Sequence, residues 1–325
     1  MTTKESILAL FEEQRGVYFS GEEIAARLAV SRAAVWKAVN GLRKEGYEID
    51  AVSNKGYRLA ADTDILSTQG IEKYQDPVCR TLNLCVLPEA ESTNTLLREK
   101  ANAGAPEGTV ILANTQTKGR GRRGRSFYSP ADTGLYLSIL LRPDGMIPDQ
   151  AVKITTMAAV AVCEAVEKIS GKETWIKWVN DIYQEGRKIS GILTEASISM
   201  ENGSVEYVIL GIGVNVYPPK GGFPEEIQKI AGAVFKEKQH DGKSRLAAQI
   251  LNHFFMEYKK ADRTDYVEQY RAKSFVVGKE ITVLFPSGNR TAKALDVDRD
   301  CHLIVQYENG QKERLSSGEI SVRIS

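Results

Sequence analysis

Histidine and cysteine are scarce in this chain: three and four of 325 residues, with no CxxC pair among Cys79, Cys85, Cys163 and Cys301. That excludes zinc fingers and disulfide frameworks and points to a reducing compartment. Long apolar runs are also missing. The longest uncharged stretches, such as Tyr207 to Pro219, are too short to span a bilayer, and Lys4, Glu5, Glu12 and Glu13 stand where a leader would need an apolar segment. A cytoplasmic protein is expected. Nor does one sign of charge dominate: 43 basic against 42 acidic residues leave a formal +1, so any nucleic-acid contact must come from a local patch. With 42% hydrophobic and 26% charged residues the composition is that of a globular protein. Its length calls for two or three domains of roughly 60–200 residues.

What is present is one dense basic segment, Lys118-Gly-Arg-Gly-Arg-Arg-Gly-Arg125. Glycine permits the φ > 0 conformations that turn successive N–H groups toward one anion, and arginine adds a planar fork of donors. Such a loop suits phosphate. Gly119-x-Gly121-x-x-Gly124 follows the strand-like Val110 to Ala113 with dinucleotide-binding spacing, but Ser126-Phe-Tyr-Ser-Pro130 stands where a helix must open, and Asp144 lies in a Pro-Asp-Gly turn. No Gly-Lys-Ser/Thr follows, which excludes a P-loop. On spacing alone, a solvated basic loop or a nonspecific nucleic-acid patch stays open.

The first sixty residues read as a winged helix-turn-helix. Ile7, Leu8, Leu10 and Phe11 form one helical face, Ser20 to Glu23 a capping box before a second helix, and Ser31 a cap for a third carrying Val35, Trp36, Val39 and Leu42. Tyr47 to Val52 and Gly56 to Leu59 then form a hairpin. Charge separates the two ends: Met1 to Val30 holds three basic and five acidic residues, Ser31 to Arg58 six basic and three acidic. Ser31, Arg32, Ala33 and Lys37 are therefore candidates for a major groove, and Lys55 and Arg58 for phosphates. Trp36 is expected in the core. A small docking domain with a solvated basic face is the alternative.

Beyond a polar connection at Ala60 to Asp64, strands and helices alternate as in an α/β domain with a mixed sheet. Strands are expected at Leu82 to Leu87, Val110 to Ala113, Leu135 to Leu141, Thr174 to Val179, Lys188 to Ser197 and Val205 to Val214, the last two joined through Asn202-Gly203. Helices are expected from Glu91-Ser-Thr-Asn94 to about Ala103, from Asp149 to about Ile169, from a Ser244 cap to about Ala261, and in a further segment ending near Lys273. Four polar clusters fall at strand ends or in loops, where binding residues gather: Ser92-Thr93-Asn94, Gln116 with the glycine loop, Lys177 to Asp181 leading to Lys188, and Gly211-Ile-Gly-Val-Asn215. Each alone also has an ordinary reading as a cap, a turn or a solvated lysine.

Taken in order, Glu91-Ser-Thr-Asn94, Gly119 to Arg125, Lys177-Trp-x-Asn-Asp181, Lys188-x-x-Gly191-Ile-Leu and Gly211-x-Gly-x-Asn215 resemble the motifs of the biotin–protein ligases. With its DNA-binding head the chain looks like the bifunctional ligase/repressor members. The resemblance spans most of the chain and is weakest beyond about Val277. Val179 departs from it, at a position often proline in the family.

The resemblance implies a winged helix-turn-helix domain over 1–62, a ligase domain like the class II aminoacyl-tRNA synthetases over 63–276, and an SH3-like barrel over 277–325. It implies that biotin's carboxylate attacks the α-phosphate of ATP, that pyrophosphate leaves, and that biotinyl-5′-AMP acylates a lysine of a biotin carboxyl carrier protein. The adenylate would also act as corepressor, holding a homodimer on operator DNA. Two anions brought to ~4 Å repel by roughly 4 kcal/mol at an effective dielectric near 20, so fixed cations are needed. Lys188, Arg120 and Arg122 are implied as catalytic, with Mg²⁺ on the nucleotide. Ser92, Thr93, Asn94, Gln116, Gly119, Arg120, Gly121, Arg122, Tyr136, Lys188 and Gly191 are implied for biotin, and Arg122, Lys177, Asn180 and Asn215 for the nucleotide. Metal ligands are not assigned. A lipoate-type ligase, or a ligand-sensing regulator without ligase activity, are the alternatives.

From Glu280 the pattern changes to short strands at Ile281 to Phe285, Arg290 to Val297, Leu303 to Tyr307, Lys312 to Leu315 and Ile320 to Ile324, with turns at Pro286 to Asn289 and Glu308 to Gly310. A small barrel is expected.

Overall fold

A computed structural model describes residues 1–199, 201, 203–260, 265–285, 288–316 and 321–324. The expected turn residues Asn202, Pro286 and Ser287, the helix end at Ala261 and the strand start at Ile320 lie outside them. Contacts divide the chain into two compact units, Met1–Asp76 with Lys238–Ala248, and Pro77–Glu237 with Gln249–Ser325.

In the first unit, α1 (Thr3–Glu13), α2 (Gly21–Leu28) and α3 (Arg32–Lys44) are followed by the hairpin β1 (Ile49–Val52) and β2 (Gly56–Leu59), then by α4 (Thr68–Glu72). Ser20 and Ser31 each accept the N–H three residues on, from Glu23 and Ala34, satisfying an otherwise orphaned donor. Ile7, Phe11, Ile24, Val35, Val39, Leu42 and Leu59 make one core. Gly56, at φ +98, has no room for a side chain, since a Cβ would lie 2.1 Å from the Phe19 carbonyl oxygen. That close approach is where Phe19 bridges to Tyr57 of the wing.

Trp36 departs from its expected place. The buried stripe of α3 is Val35, Ala38, Val39 and Leu42. Trp36 falls off that stripe and is 62% exposed.

The second unit holds a seven-stranded sheet in the order β3-β4-β5-β9-β8-β7-β6, built from β3 (Asn83–Leu87), β4 (Thr109–Ala113), β5 (Gly134–Leu141), β6 (Trp175–Lys177), β7 (Asp181–Gln184), β8 (Arg187–Ile198) and β9 (Val205–Asn215). Only β3 and β4 pair in parallel. Helix α5 (Thr93–Asn102) starts where Ser92 caps it, and α6 (Ala151–Ser170) follows a 3₁₀ turn at Pro148–Gln150, two residues later than the sequence suggests. Every residue of β5 is buried, as a continuous apolar run requires.

Two expectations need correction. The strand expected over Thr174 to Val179 is only Trp175–Lys177, because Lys177 and Asp181 already pair across a tight connection and β7 begins there. Helix α7 (Gly242–Tyr258) begins before Ser244, which lies in its first turn and does not cap it; residues through Ala248 group with the first unit.

After α8 (Asp265–Lys273) come β10 (Glu280–Phe285), β11 (Gly288–Val297), β12 (Leu303–Tyr307), β13 (Lys312–Leu315) and β14 (Ser321–Ile324). They form an antiparallel sheet ordered β13-β12-β11-β10-β14. The last strand returns to pair with the first, the connectivity of an SH3-like barrel.

Candidate active site

The glycine-rich segment folds as a tight hairpin rather than a helix start. Phe127 N–H donates to the Gly119 carbonyl at 2.9 Å, Gly121 N–H to Arg125 at 2.7 Å, and a single 3₁₀ turn spans Arg122–Gly124. Gly119 cannot carry a side chain, since a Cβ would meet the Phe127 carbonyl at 2.3 Å. No helix follows until Ala151, which agrees with the rejection of a dinucleotide-binding turn.

Beside this hairpin lies a cavity lined by Ser92, Thr93, Asn94, Gln116, Arg120, Phe127, Tyr136, Leu137, Gly191, Leu193, Gly211, Ile212 and Gly213. Seven of the sequence candidates meet here: Ser92, Thr93, Asn94, Gln116, Arg120, Tyr136 and Gly191. They come from the start of α5, the end of β4, the hairpin and the middle strands of the sheet. Gly119, Gly121, Arg122 and Lys188 do not line it.

The polar wall is held by its own hydrogen bonds. Gln116 Oε1 accepts from the Thr93 backbone at 2.9 Å and from its hydroxyl at 3.2 Å, while Gln116 Nε2 donates to Ser129 at 3.0 Å. Ser138 Oγ lies 2.7 Å from Thr93 Oγ1 and 2.6 Å from Asn94 Oδ1. Tyr136 donates to the Pro130 carbonyl at 2.9 Å, and burial pushes its hydroxyl pKa well up.

The glycines of Gly211-x-Gly213 give space to named side chains. A Cβ on Gly211 would lie 2.1 Å from Asn94 Oδ1, and one on Gly213 would lie 2.6 Å from the Phe127 ring. Phe127 also meets Tyr136 edge-on, with centroids 6.4 Å apart.

The cationic candidates gather next to the β6–β7 connection. Arg122 Nη1 donates to Asn180 Oδ1 at 3.2 Å, and burial lowers its pKa against the opposing pull of Asp181. Lys188 Nζ lies 2.6 Å from Asp181 Oδ1. Asn180 Nδ2 donates to the Ile192 carbonyl at 2.8 Å, fixing the connection to β8. The Trp178–Val179 peptide is cis, and Trp178 Nε1 donates to the Cys301 carbonyl at 3.1 Å. Lys177 closes β6 opposite Asp181. Asn215, at the end of β9, donates through Nδ2 to the Gly232 carbonyl at 2.9 Å.

Sequence reasoning missed Phe127, Ser138 and Glu195. Ser138 had a signal, a lone serine within the buried run Gly134–Leu141, whose hydroxyl must find a partner there. Phe127 stands two residues after the glycine loop. Glu195 had no local signal.

In the first unit, Arg32, Ala33, Lys37 and Lys55 are exposed, as is Ser31 at the cap. Arg58 is already engaged: Nη2 lies 2.5 Å from Asp50 Oδ2, and the guanidinium sits 4.7 Å from the Tyr18 ring centroid. Among the described residues, the group of three possible metal ligands that lie together is Asp298, Asp300 and His302. Asp298 and Asp300 there are bound by Arg314. Among the described residues, no helix is long and apolar enough to cross a membrane.

These features coincide with three family matches: a helix-turn-helix domain over 3–58, the biotin/lipoate A/B protein ligase family over 86–215, and the biotin protein ligase C terminal domain over 276–323. The bifunctional ligase/repressors BirA of Bacillus spizizenii and Bacillus subtilis are each 35% identical over 325 residues, spanning 97% of this chain and 98% of theirs. A biotin protein ligase from Aquifex aeolicus, solved in complex with biotin and ATP, is 29% identical with a TM-score of 0.63, over 75% of this chain and 99% of that one. Fold, site and sequence thus define a biotin- or lipoate-class ligase domain carrying a helix-turn-helix head. The chain belongs to the biotin protein ligase family, in its bifunctional ligase/repressor branch.

Proposed function

We propose that the cavity of Ser92, Thr93, Asn94 and Gln116 takes the ureido group of biotin, and that the neighbouring cations carry its activation by ATP to biotinyl-5′-AMP. One observation carries this reading: a rigid wall of amide and hydroxyl groups in an otherwise apolar pocket, with Arg120 at its side. Tyr136 and Phe127 close the apolar part, and the bare backbone of Gly191 lets the ligand approach. Biotin's carboxylate attacks the α-phosphorus, the bond to the bridging oxygen breaks, and pyrophosphate leaves with that electron pair. Arg120, Arg122 and Lys188 stabilise the charge that builds on the phosphate oxygens. Lys177, Asn180 and Asn215 serve the nucleotide side.

The acceptor's lysine amine then attacks the acyl carbon and AMP departs, so no nucleophile from this chain is needed and rate comes from placement and charge. The acceptor is a biotin carboxyl carrier protein. Magnesium would enter on the phosphates of the nucleotide; among the described residues, the clustered group Asp298, Asp300 and His302 lies in the β11–β12 connection, where both carboxylates are bound by Arg314.

The adenylate also regulates. By ordering the Lys118–Arg125 hairpin it favours a homodimer, whose paired α3 helices bind operator half-sites through Ser31, Arg32, Ala33 and Lys37, with Lys55 and Arg58 on phosphates. The corresponding domains are 1–62, 63–276 and 277–325. Exchange of labelled pyrophosphate into ATP on adding biotin tests the first step, and transfer of biotin to a carrier protein tests the second. Exchange driven by lipoate and not biotin would favour the lipoate reading. Operator binding that ignores saturating biotin plus ATP would remove the regulatory coupling.

A further inference from the structure

Glu195 lies on β8, outside every motif above, yet three side chains from two other elements converge on its carboxylate. Asn94 Nδ2 donates to Oε2 at 2.8 Å, and Arg98 Nη2 to Oε1 at 2.5 Å. Arg120 Nη1 lies 3.1 Å from Oε1 and 3.4 Å from Oε2. The carboxylate therefore ties the start of α5 to the glycine-loop hairpin, at a side chain only 21% exposed.

Two consequences follow from a carboxylate that only accepts. Arg120 is gripped through one nitrogen; among the described residues its Nε and Nη2 make no further contact, so the rest of its fork is left for an anion in the cavity it lines. Two arginines against one carboxylate also leave that wall positive. In addition, Asn94 must turn its NH₂ toward Glu195, which turns Oδ1 toward Ser138. Ser138 must then donate to Asn94 at 2.6 Å, and its oxygen lies 2.7 Å from Thr93 Oγ1. The donor and acceptor pattern of the wall is thus set from Glu195.

We propose that Glu195 is the positioning residue of this site: it aims Arg120 at the bound anion and fixes the hydrogen-bond polarity of Asn94 and Ser138 in the wall. The proposal rests on the biotin reading above. A plain structural ion pair would only stabilise the fold, whereas a positioning residue changes how one substrate is held.

The test is a cycle of Glu195→Gln, Arg120→Ala and the double variant in the full-length protein, read as KM for biotin, KM for ATP and kcat of pyrophosphate exchange, with thermal melts alongside. Glu195→Gln keeps the shape and loses the charge. It is expected to raise KM for biotin about tenfold or more while KM for ATP moves less. The double variant should lose less than the sum of the two single losses, since part of each loss is the same placement of Arg120. Glu195→Asp, which keeps the charge, should restore part of the loss. Should Glu195→Gln fail to fold, Ser138→Ala breaks the relay alone and should raise KM for biotin with Arg120 intact.

An impaired Arg120→Ala beside a wild-type Glu195→Gln, or strictly additive losses, would overturn the proposal and leave the biotin site standing. Unaltered biotin kinetics in Arg120→Ala, or in Ser138→Ala where that variant stands in, would overturn the proposal; in the Arg120 case the site assignment falls with it.

Discussion

Lys188 and Asp181 face each other across the β7–β8 hairpin, with Nζ 2.6 Å from Oδ1. The ammonium is thereby held at a fixed place while its other two donors are left for substrate oxygens. Lys188→Ala removes that charge from a site where two anions must meet. Biotin-dependent pyrophosphate exchange should fall by about 10²–10³-fold, with KM for biotin moving less, because the interaction grows as charge develops. Stopped or quenched exchange assays at saturating substrates measure it directly. A rise in KM with unchanged kcat would mean that Lys188 only binds.

Arg122→Gly tests the other cation. Its guanidinium is half-buried against Asn180, on the side of the site proposed for the nucleotide. The variant should release biotinyl-AMP faster while binding of free biotin is less affected. Dissociation of the adenylate, set against biotin affinity, gives the answer; equal losses would contradict the assigned role.

Gly211→Ala and Gly213→Ala test the packing of the pocket. The first sets a methyl 2.1 Å from Asn94 Oδ1, the second 2.6 Å from the Phe127 ring. Asn94 cannot move without loss, since it is tied to Glu195 and Ser138, and the Phe127 ring packs edge-on against Tyr136. Each should destabilise the ligase unit by ~1–3 kcal/mol in thermal or denaturant melts and weaken biotin binding. Unchanged melting and binding would show that the pocket is looser than its hydrogen bonds suggest.

Much of this site was legible because its residues stand in short ordered runs. The cap at Ser92 and the buried run of β5 could be read from neighbours one to eight residues away, and the glycine segment could be read as a loop that opens no helix, though not as a hairpin. Trp36 could not: its spacing fits a core stripe, and only the packing of Val35, Ala38 and Val39 shows that it faces out. Glu195 could not either, since Asn94, Arg98 and Arg120 lie 101, 97 and 75 residues from it in sequence. Strand β7 was hidden because Asn180-Asp181 reads equally well as a turn, and the pairing of Lys177 with Asp181 makes it both.

Trp36 is exposed on the same helix as Arg32, Ala33 and Lys37, the residues proposed for the major groove, where an indole would touch base edges. Trp36→Ala should weaken operator binding roughly tenfold or more and leave pyrophosphate exchange unchanged. Gel-shift or fluorescence titration of both proteins separates the two activities. Equal operator affinity would place the indole outside the groove.

Glu12 gives a pH test of the helix-turn-helix unit. It is 2% exposed among Arg15, Asp241 and Lys73, and burial raises its pKa although Arg15 pulls it down. The folded state therefore holds this proton more tightly than the unfolded one. The resulting stabilisation is full below the ordinary glutamate range and is lost as pH rises through the folded value. Glu12→Gln, which mimics the protonated form, should gain stability relative to the parent between pH 4 and pH 7. Paired melts across that range check it, and a parent that gains on the variant with rising pH would contradict the sign.

The most direct measurement of the central claim is ATP–pyrophosphate exchange by the full-length protein with biotin, with lipoate, and with neither. Rapid exchange with biotin alone is the predicted result. Exchange stimulated by lipoate and not by biotin, or by neither, would contradict it.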